Sequence, residues 1–400
     1  MVFTQTQLER YADVLLWGLQ TARTKPFKAY DKVILRIERD ALDLAEVVHR
    51  KILEKQWVPV MKLFPTPTME KQFYTVTDQK QRRFIGPWDK SLYENANGSI
   101  VLSAPASLTH LKEVDPKRIN DYLLARKTMR KIMEQREEKG LLGWTLCTIP
   151  TRALAEKASL SIKAYTNQII RACYLDETDP VKKWAEIHRE SQTIKKWLNS
   201  LPVKSLRLES SSCDLTISLG DKRRWMGVSG HNIPSFELFT SPDWRGTDGA
   251  YCANLPSYQS GNLVSNIKLV FKKGNVISAE AEQGGPFLKQ MIAMDAGAKR
   301  LGEFSLTDKR FSRINKFMAD TLFDENFGGS HGNSHIAVGQ SYSDTYNGNV
   351  SALTAEKKRR LGFNTSALHW DMVNTEDKTV TAIMKDGSRK IIYEHGSFLH

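Results

Sequence analysis

Four short segments in the second half of the chain place carboxylate or imidazole side chains in apolar or glycine-rich surroundings. These segments are GHNIPSFELFTSPDWRGTDG (230–249), RLGEFSL (300–306), TLFDENFGGSHGNSHIAVGQSY (321–342) and FNTSALHWDMV (363–373). A buried acid needs a cation, a metal ion or several hydrogen-bond donors, because an isolated buried charge is strongly unfavourable. The four segments are therefore where metal-dependent chemistry is to be sought.

Two of these segments contribute glutamates. Glu237 lies between Phe236 and Leu238, and Glu303 follows a stretch with helical periodicity over residues 286–302. Taken singly, Glu237 fits an exposed strand carboxylate and Glu303 fits a surface acid at the end of an amphipathic helix. Neither glutamate alone identifies a site.

The other two segments contribute histidines. His331 and His335 have the spacing of a helical metal site, but the glycines around them make a helix unfavourable, and the segment is not an HExxH motif. His369 and Asp371 are two residues apart, so on a strand both side chains would project from the same face and could bind one ion. His-x-Asp alone is a weak signal.

Together these residues indicate a site for two divalent ions. Two glutamates, two histidines and one aspartate provide mixed nitrogen and oxygen ligands, which suit zinc, cobalt or manganese better than calcium. The sequence contains no GxGxxG and no GxxxxGK[ST] motif, so it gives no support for dinucleotide or P-loop nucleotide binding. Ser229, in MGVSG, is not in a G-x-S-x-G context and is interpreted as a turn residue.

Short apolar runs alternate with helical patterns in the first half of the chain. The runs are KVILRI (32–37), WVPVMKLF (57–64), SIVLSA (99–104) and GWTLCTI (143–149). Strands separated by helices indicate an α/β domain with a mostly parallel sheet. A helix that begins at Asp179-Pro180 and ends near Leu201-Pro202 closes this half, with one apolar face.

Beyond residue 200 the pattern changes to short strand candidates. Two hairpins are predicted, one over residues 266–282 and one over 379–395, around the turns at Gly274 and Gly387. We expect two domains: residues 1–200 as an α/β domain, and residues 201–400 as a strand-rich α+β domain that carries the metal site.

Composition narrows the class of protein. The chain has 400 residues, 26% of them charged, and a formal net charge of +13. No stretch reaches the ~18 consecutive apolar residues of a membrane span, the N-terminus does not read as a signal peptide, and four widely spaced cysteines indicate a reducing, cytoplasmic setting. The excess of basic residues lies mostly in the first half, within helices that also carry acids, so nucleic-acid binding is the less favoured interpretation.

The four segments resemble, in order and spacing, the motifs of the aminopeptidase T/PepS/AmpS family of metalloaminopeptidases. The resemblance spans nearly the whole chain and is most specific in its second half. It implies six site residues: Glu237, Glu303, His335, Tyr342, His369 and Asp371. His331 does not match a family ligand and is interpreted as a loop residue. Trp370 and Met372 depart from the family pattern, so the wall of the pocket is expected to differ.

The resemblance also implies a mechanism and an assembly. We expect two ions of zinc, cobalt or manganese to activate a water that attacks the first peptide bond of substrates with a free N-terminus. Glu303 is the candidate bridging ligand and general base, and Tyr342 the candidate metal ligand or oxyanion donor. A homodimer with a secluded cavity is implied as well. The alternative is a basic nucleic-acid- or peptide-binding protein with a structural metal and no hydrolysis.

Overall fold

The computed structural model of the protein describes residues 2–400, which divide into two compact units. One unit contains the residues up to His188 together with Val228–Ser235, and the other contains Arg189–Gly227 and Phe236–His400. Among the described residues, no helix is both long and apolar enough to cross a bilayer. The division of the sequence at residue 200 remains a prediction about folding domains.

Helices and strands cover most of residues 2–400. The α-helices are α1 (Gln5–Thr21), α2 (Leu42–Glu54), α3 (Pro67–Val76), α4 (Gln79–Arg83), α5 (Pro87–Asn95), α6 (Pro116–Glu138), α7 (Arg152–Lys157), α8 (Ile162–Ala172), α9 (Pro180–Ser200), α10 (Gly285–Ile292), α11 (Thr321–Asp324) and α12 (Ala355–Arg360). The strands are β1 (Lys32–Ile37), β2 (Val58–Leu63), β3 (Gly98–Ser103), β4 (Gly143–Thr148), β5 (Val203–Ser210), β6 (Asp214–Ser218), β7 (Met226–Gly227), β8 (Asn232–Ile233), β9 (Glu237–Thr240), β10 (Thr247–Ala253), β11 (Ser257–Gln259), β12 (Asn262–Val264), β13 (Ile267–Lys272), β14 (Asn275–Glu280), β15 (Leu301–Thr307), β16 (Asn333–Gly339), β17 (His369–Asn374), β18 (Lys378–Met384), β19 (Arg389–Glu394) and β20 (Ser397–Phe398).

The first unit is built on a five-stranded sheet in the order β2-β1-β3-β4-β8, and all of its pairings are parallel. The central strands are apolar because helices such as α1 and α2 lie against the sheet. Ile34 of β1 and Ile100 of β3 are fully buried. The predicted α/β fold with a parallel sheet is confirmed.

The second unit contains an eight-stranded antiparallel sheet in the order β14-β13-β10-β6-β5-β18-β19-β20. Both predicted hairpins are part of it: β13 pairs with β14 around Gly274, and β18 pairs with β19 around Gly387. The prediction of a strand-rich second half is therefore confirmed.

A second antiparallel sheet of this unit, in the order β17-β16-β15-β9-β7, carries the candidate site. Every residue of β15 and of β16 is buried. Because β15 pairs with β16 on one side and β9 on the other, its backbone groups are satisfied although the strand is inaccessible to water.

The helix predicted over residues 286–302 is wrong in its length. The helix α10 ends at Ile292, and Glu303 lies in the strand β15 rather than at a helix end. The Asp295 carboxylate accepts hydrogen bonds from the backbone N–H groups of Gly297 and Ala298, each at 2.9 Å, which fixes a turn where helical periodicity would continue. Pairing of β15 on both edges then outweighs the local helix propensity.

The helix α9 matches the prediction. It begins at Pro180 and ends at Ser200, and its apolar face is buried at Trp184, Ile187, Ile194 and Leu198. These side chains form core and carry no chemistry.

Candidate metal centre

Five of the six predicted site residues project from one face of the sheet β17-β16-β15-β9-β7. Glu237 begins β9, Glu303 lies on β15, His335 lies on β16, and His369 and Asp371 lie on β17. Residues that are directly opposite across strands share a face, as do residues two apart along a strand. Glu237 pairs with Thr307, which is an even number of residues from Glu303 on β15. Ala337 pairs with both Glu303 and Asp371, and it is two residues from His335 on β16. His369 is two residues from Asp371, so all five side chains lie on the same side of the sheet.

The cross-strand register leaves space between the carboxylates. Glu303 pairs with Ala337, and Ala337 pairs with Asp371, so only a methyl group separates the two acids across the sheet. A shift in register between Leu301 and Glu303 marks a bulge at the start of β15. Bulges of this kind re-aim a side chain locally, and here the one affected is Glu303.

His335 lies at the centre of the first cluster. Its Nε2 atom is 3.0 Å from Glu237 Oε2 and 3.3 Å from Glu303 Oε1. All three side chains are buried, and one ligand atom from each lies within 4.8 Å of the others. Ser305, one strand away from Glu237, donates a hydrogen bond of 2.9 Å to Glu237 Oε2 and fixes that carboxylate.

His369 and Asp371 form the neighbouring part of the site. His369 Nε2 lies 3.4 Å from Asp371 Oδ1 and 3.8 Å from Glu303 Oε2. The other ring nitrogen, Nδ1, is 2.9 Å from the carbonyl oxygen of Gln340. A carbonyl oxygen can only accept, so this contact requires a proton on Nδ1 and, in the neutral ring, leaves the Nε2 lone pair facing the carboxylates.

Glu325 is a site residue that the sequence analysis missed. It follows α11, is buried, and has a ligand atom within 4.8 Å of ligand atoms of His335 and Asp371. The preceding Asp324 instead accepts hydrogen bonds from the backbone of Met318 and Asp320, at 2.8 and 3.0 Å. Two adjacent acids look alike in sequence, and only the fold shows which one faces the cluster.

Tyr342 lies beside the same cluster, after the end of β16. Its ring centroid is 4.8 Å from that of His369, and its backbone N–H donates to Ser241 Oγ at 2.8 Å. Although 37% of the residue is exposed, the pKa of its hydroxyl is raised well above 10, first by desolvation and then by the charges of Glu303 and Asp371. The hydroxyl therefore stays protonated and can donate a hydrogen bond.

Burial and neighbouring charges raise the pKa values of two of the acids, Glu303 and Glu325. Burial raises the pKa of Glu303 from 4.5 to about 7, a hydrogen bond from His335 lowers it, and the charge of Glu237 raises it. Burial, and then the charges of Glu237 and Asp371, also raise the pKa of Glu325 well above its usual value. These carboxylates cannot all ionise together without a compensating cation.

The pKa values of the two histidines, His335 and His369, are raised as well. Burial lowers the pKa of His335, but hydrogen bonds to Glu237 and Glu303 outweigh it and place that pKa well above 6.5. For His369, burial again acts downward, and the Asp371 carboxylate raises its pKa to about 9. Without a metal ion, protons shared within the cluster compensate the buried negative charge.

The residues fit divalent metal ions. Four carboxylates and two imidazoles converge within one buried region, and Glu303 Oε2 and His335 Nδ1 have no hydrogen-bond partner among residues 2–400. Buried polar atoms without partners are rare in folded proteins and call for an explanation such as an ion or an ordered water. Mixed nitrogen and oxygen donors of this kind suit zinc, cobalt and manganese.

Two further residues singled out from the sequence lie outside the buried cluster. His331 lies on the loop between α11 and β16, and its Nδ1 atom is 3.5 Å from Asp377 Oδ1, on the surface. Trp370 points to the opposite face of β17 from His369, where it is buried and donates to Ser257 Oγ at 2.9 Å. The position at which Trp370 departs from the family pattern therefore lies in the core behind β17, on the face turned away from the candidate metal ligands.

The family of the chain follows from comparison with known proteins. The family model described as thermophilic metalloprotease (M29) matches residues 4–398. The chain belongs to the M29 family. The resemblance given by the sequence motifs is thereby confirmed, and so is the predicted class of enzyme, a metal-dependent peptidase.

Relatives in this family are named aminopeptidases. The chain is 31% identical to aminopeptidase 2 of Geobacillus stearothermophilus over 309 residues, which is 72% of this chain and 73% of that protein. It is 26% identical to aminopeptidase AmpS of Bacillus subtilis (strain 168) over 387 residues, 92% and 93% of the two chains. It is also 30% identical to aminopeptidase T of Thermus aquaticus over 269 residues, 64% and 63% of the two chains.

A solved structure shares the fold of this M29 chain. Wild-type AmpT from Thermus thermophilus superposes with a TM-score of 0.80 at 21% identity, covering 98% of this chain and 99% of that one. Almost the whole chain therefore follows one known fold, in agreement with the predicted α/β and strand-rich halves.

Proposed function

We propose that this M29 peptidase is an aminopeptidase that uses two divalent ions, zinc, cobalt or manganese, to hydrolyse the first peptide bond of its substrates. The observation that carries the proposal is the pair of overlapping ligand groups, Glu237–Glu303–His335 and Glu325–His335–Asp371, in which Glu325 comes from the segment after α11 and the other residues from the sheet. The relatives' names, which are all aminopeptidases, support the restriction to the N-terminus.

The proposed ligands divide between the two groups. Glu237, Glu303 and His335 would hold one ion, and Glu325, Asp371 and His369 would lie around the other. Glu303 is the candidate for contact with both, because its two oxygens face different histidines, Oε1 towards His335 and Oε2 towards His369. When bound, such a pair of ions lowers the pKa of a water and polarises the scissile carbonyl.

Protons in the reaction would be handled by the chain's own carboxylates. Glu303 is the candidate to accept the proton of the attacking water and to deliver it to the leaving amine, through an oxygen that does not contact an ion. In the metal-free chain burial raises the pKa of Glu303 to about 7, so this position strongly disfavours a negative charge that no cation compensates.

Tyr342 would act on the other side of the scissile bond. Its hydroxyl stays protonated because desolvation and nearby carboxylates oppose ionisation, so it can donate a hydrogen bond to the carbonyl oxygen as negative charge develops there. A preorganised donor of this kind favours the transition state over the ground state.

The proposed pair of ions accounts for the proposed preference for a free N-terminus. A free α-amine has a lone pair that could bind the second ion, whereas the nitrogen of an acylated terminus is an amide that binds metal poorly and adds bulk. The proposed substrates are therefore peptides with an unblocked α-amine.

Two further proposals concern the state of the protein. The four cysteines of the chain are free thiols, and three of them are buried, which agrees with a reducing, cytoplasmic compartment. The family resemblance implies a homodimer, which light scattering of the purified protein would test.

The proposed function is tested by hydrolysis of leucyl-p-nitroanilide, before and after chelation, with zinc, cobalt and manganese added back. N-acetyl-leucyl-p-nitroanilide serves as the matched substrate without a free amine. Cleavage of the free-amine substrate alone, lost on chelation and restored by metal, is the expected result. Cleavage of both substrates would instead indicate a metal-dependent amidase or endopeptidase.

The net charge of +13 is the one observation that favours a second function, binding of nucleic acid. The ion pairs of the basic helices count against nucleic-acid binding, because acids already pair with some of the cations. Asp121 on α6, for example, accepts hydrogen bonds from Arg82 and Arg83 of α4, at 3.2 and 2.6 Å. Salt-dependent binding of a polyanion, by a metal-loaded protein with no peptidase activity, would favour this second function.

A further inference from the structure

A second cluster of metal-binding side chains lies on the surface of the same unit, apart from the buried carboxylates. His331 Nδ1 is 3.5 Å from Asp377 Oδ1, and His395 Nδ1 is 3.1 Å from Asp377 Oδ2. The two imidazoles therefore approach different oxygens of one carboxylate. None of these three residues is needed for the proposed peptidase chemistry.

The three residues come from segments that the fold holds together. His331 lies on the loop before β16, Asp377 lies immediately before β18, and His395 lies in the turn between β19 and β20. Asp377 is 46 residues from His331 and 18 residues from His395, so no local motif explains why the three side chains meet.

The backbones that carry the two histidines are in close contact. A β-carbon at Gly396 would lie 2.5 Å from the carbonyl carbon of His331, closer than side chains tolerate. The carbonyl oxygen of Gly396 also accepts from the N–H of Lys309 at 2.9 Å, while Lys309 Nζ donates to the carbonyl oxygen of Ser330 at 3.0 Å. The positions of both histidines are thus set by contacts that do not involve their rings.

The side chains remain accessible to an ion from solvent. The exposed fractions are 45% for His331, 46% for Asp377 and 73% for His395. A hydrogen bond from the backbone N–H of Lys378, at 3.0 Å, orients the Asp377 carboxylate. The two imidazoles approach different oxygens of that carboxylate, so binding of one shared ion requires the exposed rings to turn towards each other.

We propose that His331, Asp377 and His395 form a second, peripheral site for a divalent transition-metal ion. Two imidazoles and one carboxylate are the donor set of zinc, copper and nickel sites, and they exclude calcium and magnesium, which take oxygen ligands. The ion replaces the contacts that the two imidazoles make with Asp377 by bonds to both rings and the carboxylate, with water completing its coordination.

The proposed site has a structural consequence for the catalytic ligands. His331 lies on the loop that joins Glu325 to His335, both members of the buried cluster. An ion bound to His331 and His395 would link this loop to the turn after β19. A ligand that binds only the folded chain raises its stability.

The test uses full-length protein loaded with two equivalents of zinc, which is silent in electron paramagnetic resonance, and then desalted to remove zinc from exposed sites. Copper(II) is added up to one equivalent, and elemental analysis checks that the two zinc ions are retained. The expected spectrum shows nitrogen hyperfine coupling, and this signal is lost in His331→Ala and in His395→Ala. His400→Ala, a change at another exposed histidine, is the matched control and keeps the signal.

The same samples separate this proposal from the peptidase proposal. All three variants are expected to keep the leucyl-p-nitroanilide activity of the wild type, which shows that they fold and retain the catalytic ions. A copper signal that persists in both His331→Ala and His395→Ala overturns the peripheral site, whatever the activity. Acidification to about pH 5, below the usual histidine pKa of about 6.5, is expected to release the copper because protons compete for the rings.

Discussion

His335 Nε2 lies 3.0 Å from Glu237 Oε2, and both side chains are almost inaccessible to solvent. Such a pair is costly to bury without further partners, yet His335 Nδ1 has no hydrogen-bond partner among residues 2–400. We propose that the two side chains are preorganised metal ligands rather than an ion pair that stabilises the fold. Glu303, 3.3 Å from the same nitrogen, completes the group.

Glu303→Gln is expected to leave the fold intact and to abolish hydrolysis. The substitution preserves the shape of the side chain but removes its basicity and its negative charge. General acid–base catalysis alone contributes about 10²–10⁴-fold, so kcat should fall by at least that range. A variant that retains more than about a tenth of the wild-type kcat would exclude Glu303 as base or bridging ligand. Circular dichroism controls for folding.

The stabilisation that metal provides is expected to grow as the pH rises from about 5 to about 9. Burial raises the pKa of Glu303 from 4.5 to about 7, and Asp371 raises that of His369 from 6.5 to about 9 against the effect of burial. In both groups the pKa in the folded chain lies above the pKa in the unfolded chain. The contribution of each group to the free energy of unfolding is therefore fully present below the unfolded pKa and is lost as the pH rises through the folded pKa. Metal-free protein should lose stability between pH 4.5 and about 7 because of Glu303, and between pH 6.5 and about 9 because of His369.

Metal-loaded protein should behave in the opposite sense, because the ligands bind metal in their deprotonated forms. The measurement is the difference in Tm between zinc-loaded and chelated samples at pH 5, 6, 7, 8 and 9. A difference that stays constant or shrinks with rising pH would contradict the assignment of these groups as ligands. The difference cancels the titration of groups elsewhere in the chain.

The sequence predicts the fold well where one physical signal dominates. Buried parallel strands such as β1 contain short apolar runs, here Val33 to Leu35, that predict a strand. The turn at Gly274 requires a positive φ, which glycine adopts without strain. The prediction from sequence fails over residues 293–302, where helical periodicity continues but the pairing of β15 with distant strands decides the structure. Propensity is local, and the contacts that override it lie far away in the chain.

The candidate site shows the same limit. His369 and Asp371 could be paired from their spacing alone, because a strand places both on one face. Glu325 could not be chosen over Asp324, since the choice depends on which carboxylate the backbone of Met318 and Asp320 captures. The grouping of Glu237 with His335 depends on a register across three strands, which no spacing in the sequence encodes.

His369→Ala is expected to lower the amount of metal bound per chain. Its Nε2 atom lies 3.4 Å from Asp371 Oδ1, so the change removes one donor from the group around the second ion. Elemental analysis after dialysis against a metal-free buffer measures the effect. Unchanged stoichiometry would remove His369 from the ligand set, and His49→Ala, a histidine of α2, is a suitable control.

Ser305→Ala is expected to weaken metal binding without removing a ligand. The hydroxyl of Ser305 donates to Glu237 Oε2 at 2.9 Å and is fully buried, so its loss frees that carboxylate to rotate. Groups that orient a metal ligand typically affect affinity or activity by about 10–100-fold. Competition with a fluorescent chelator measures the zinc affinity. The exposed Ser388→Ala is the control, and equal affinity in the two variants would show that Glu237 needs no such support.

Tyr342→Phe separates the two roles considered for that residue. If the hydroxyl donates to the developing oxyanion, kcat should fall by about 10²–10³-fold while the bound metal stays unchanged, because removal of one such donor has an effect of this size. If the oxygen is instead a metal ligand, the metal content should fall as well. Single-turnover kinetics and elemental analysis on one preparation decide between the two, and a variant with wild-type kcat would show that Tyr342 takes no part in the reaction.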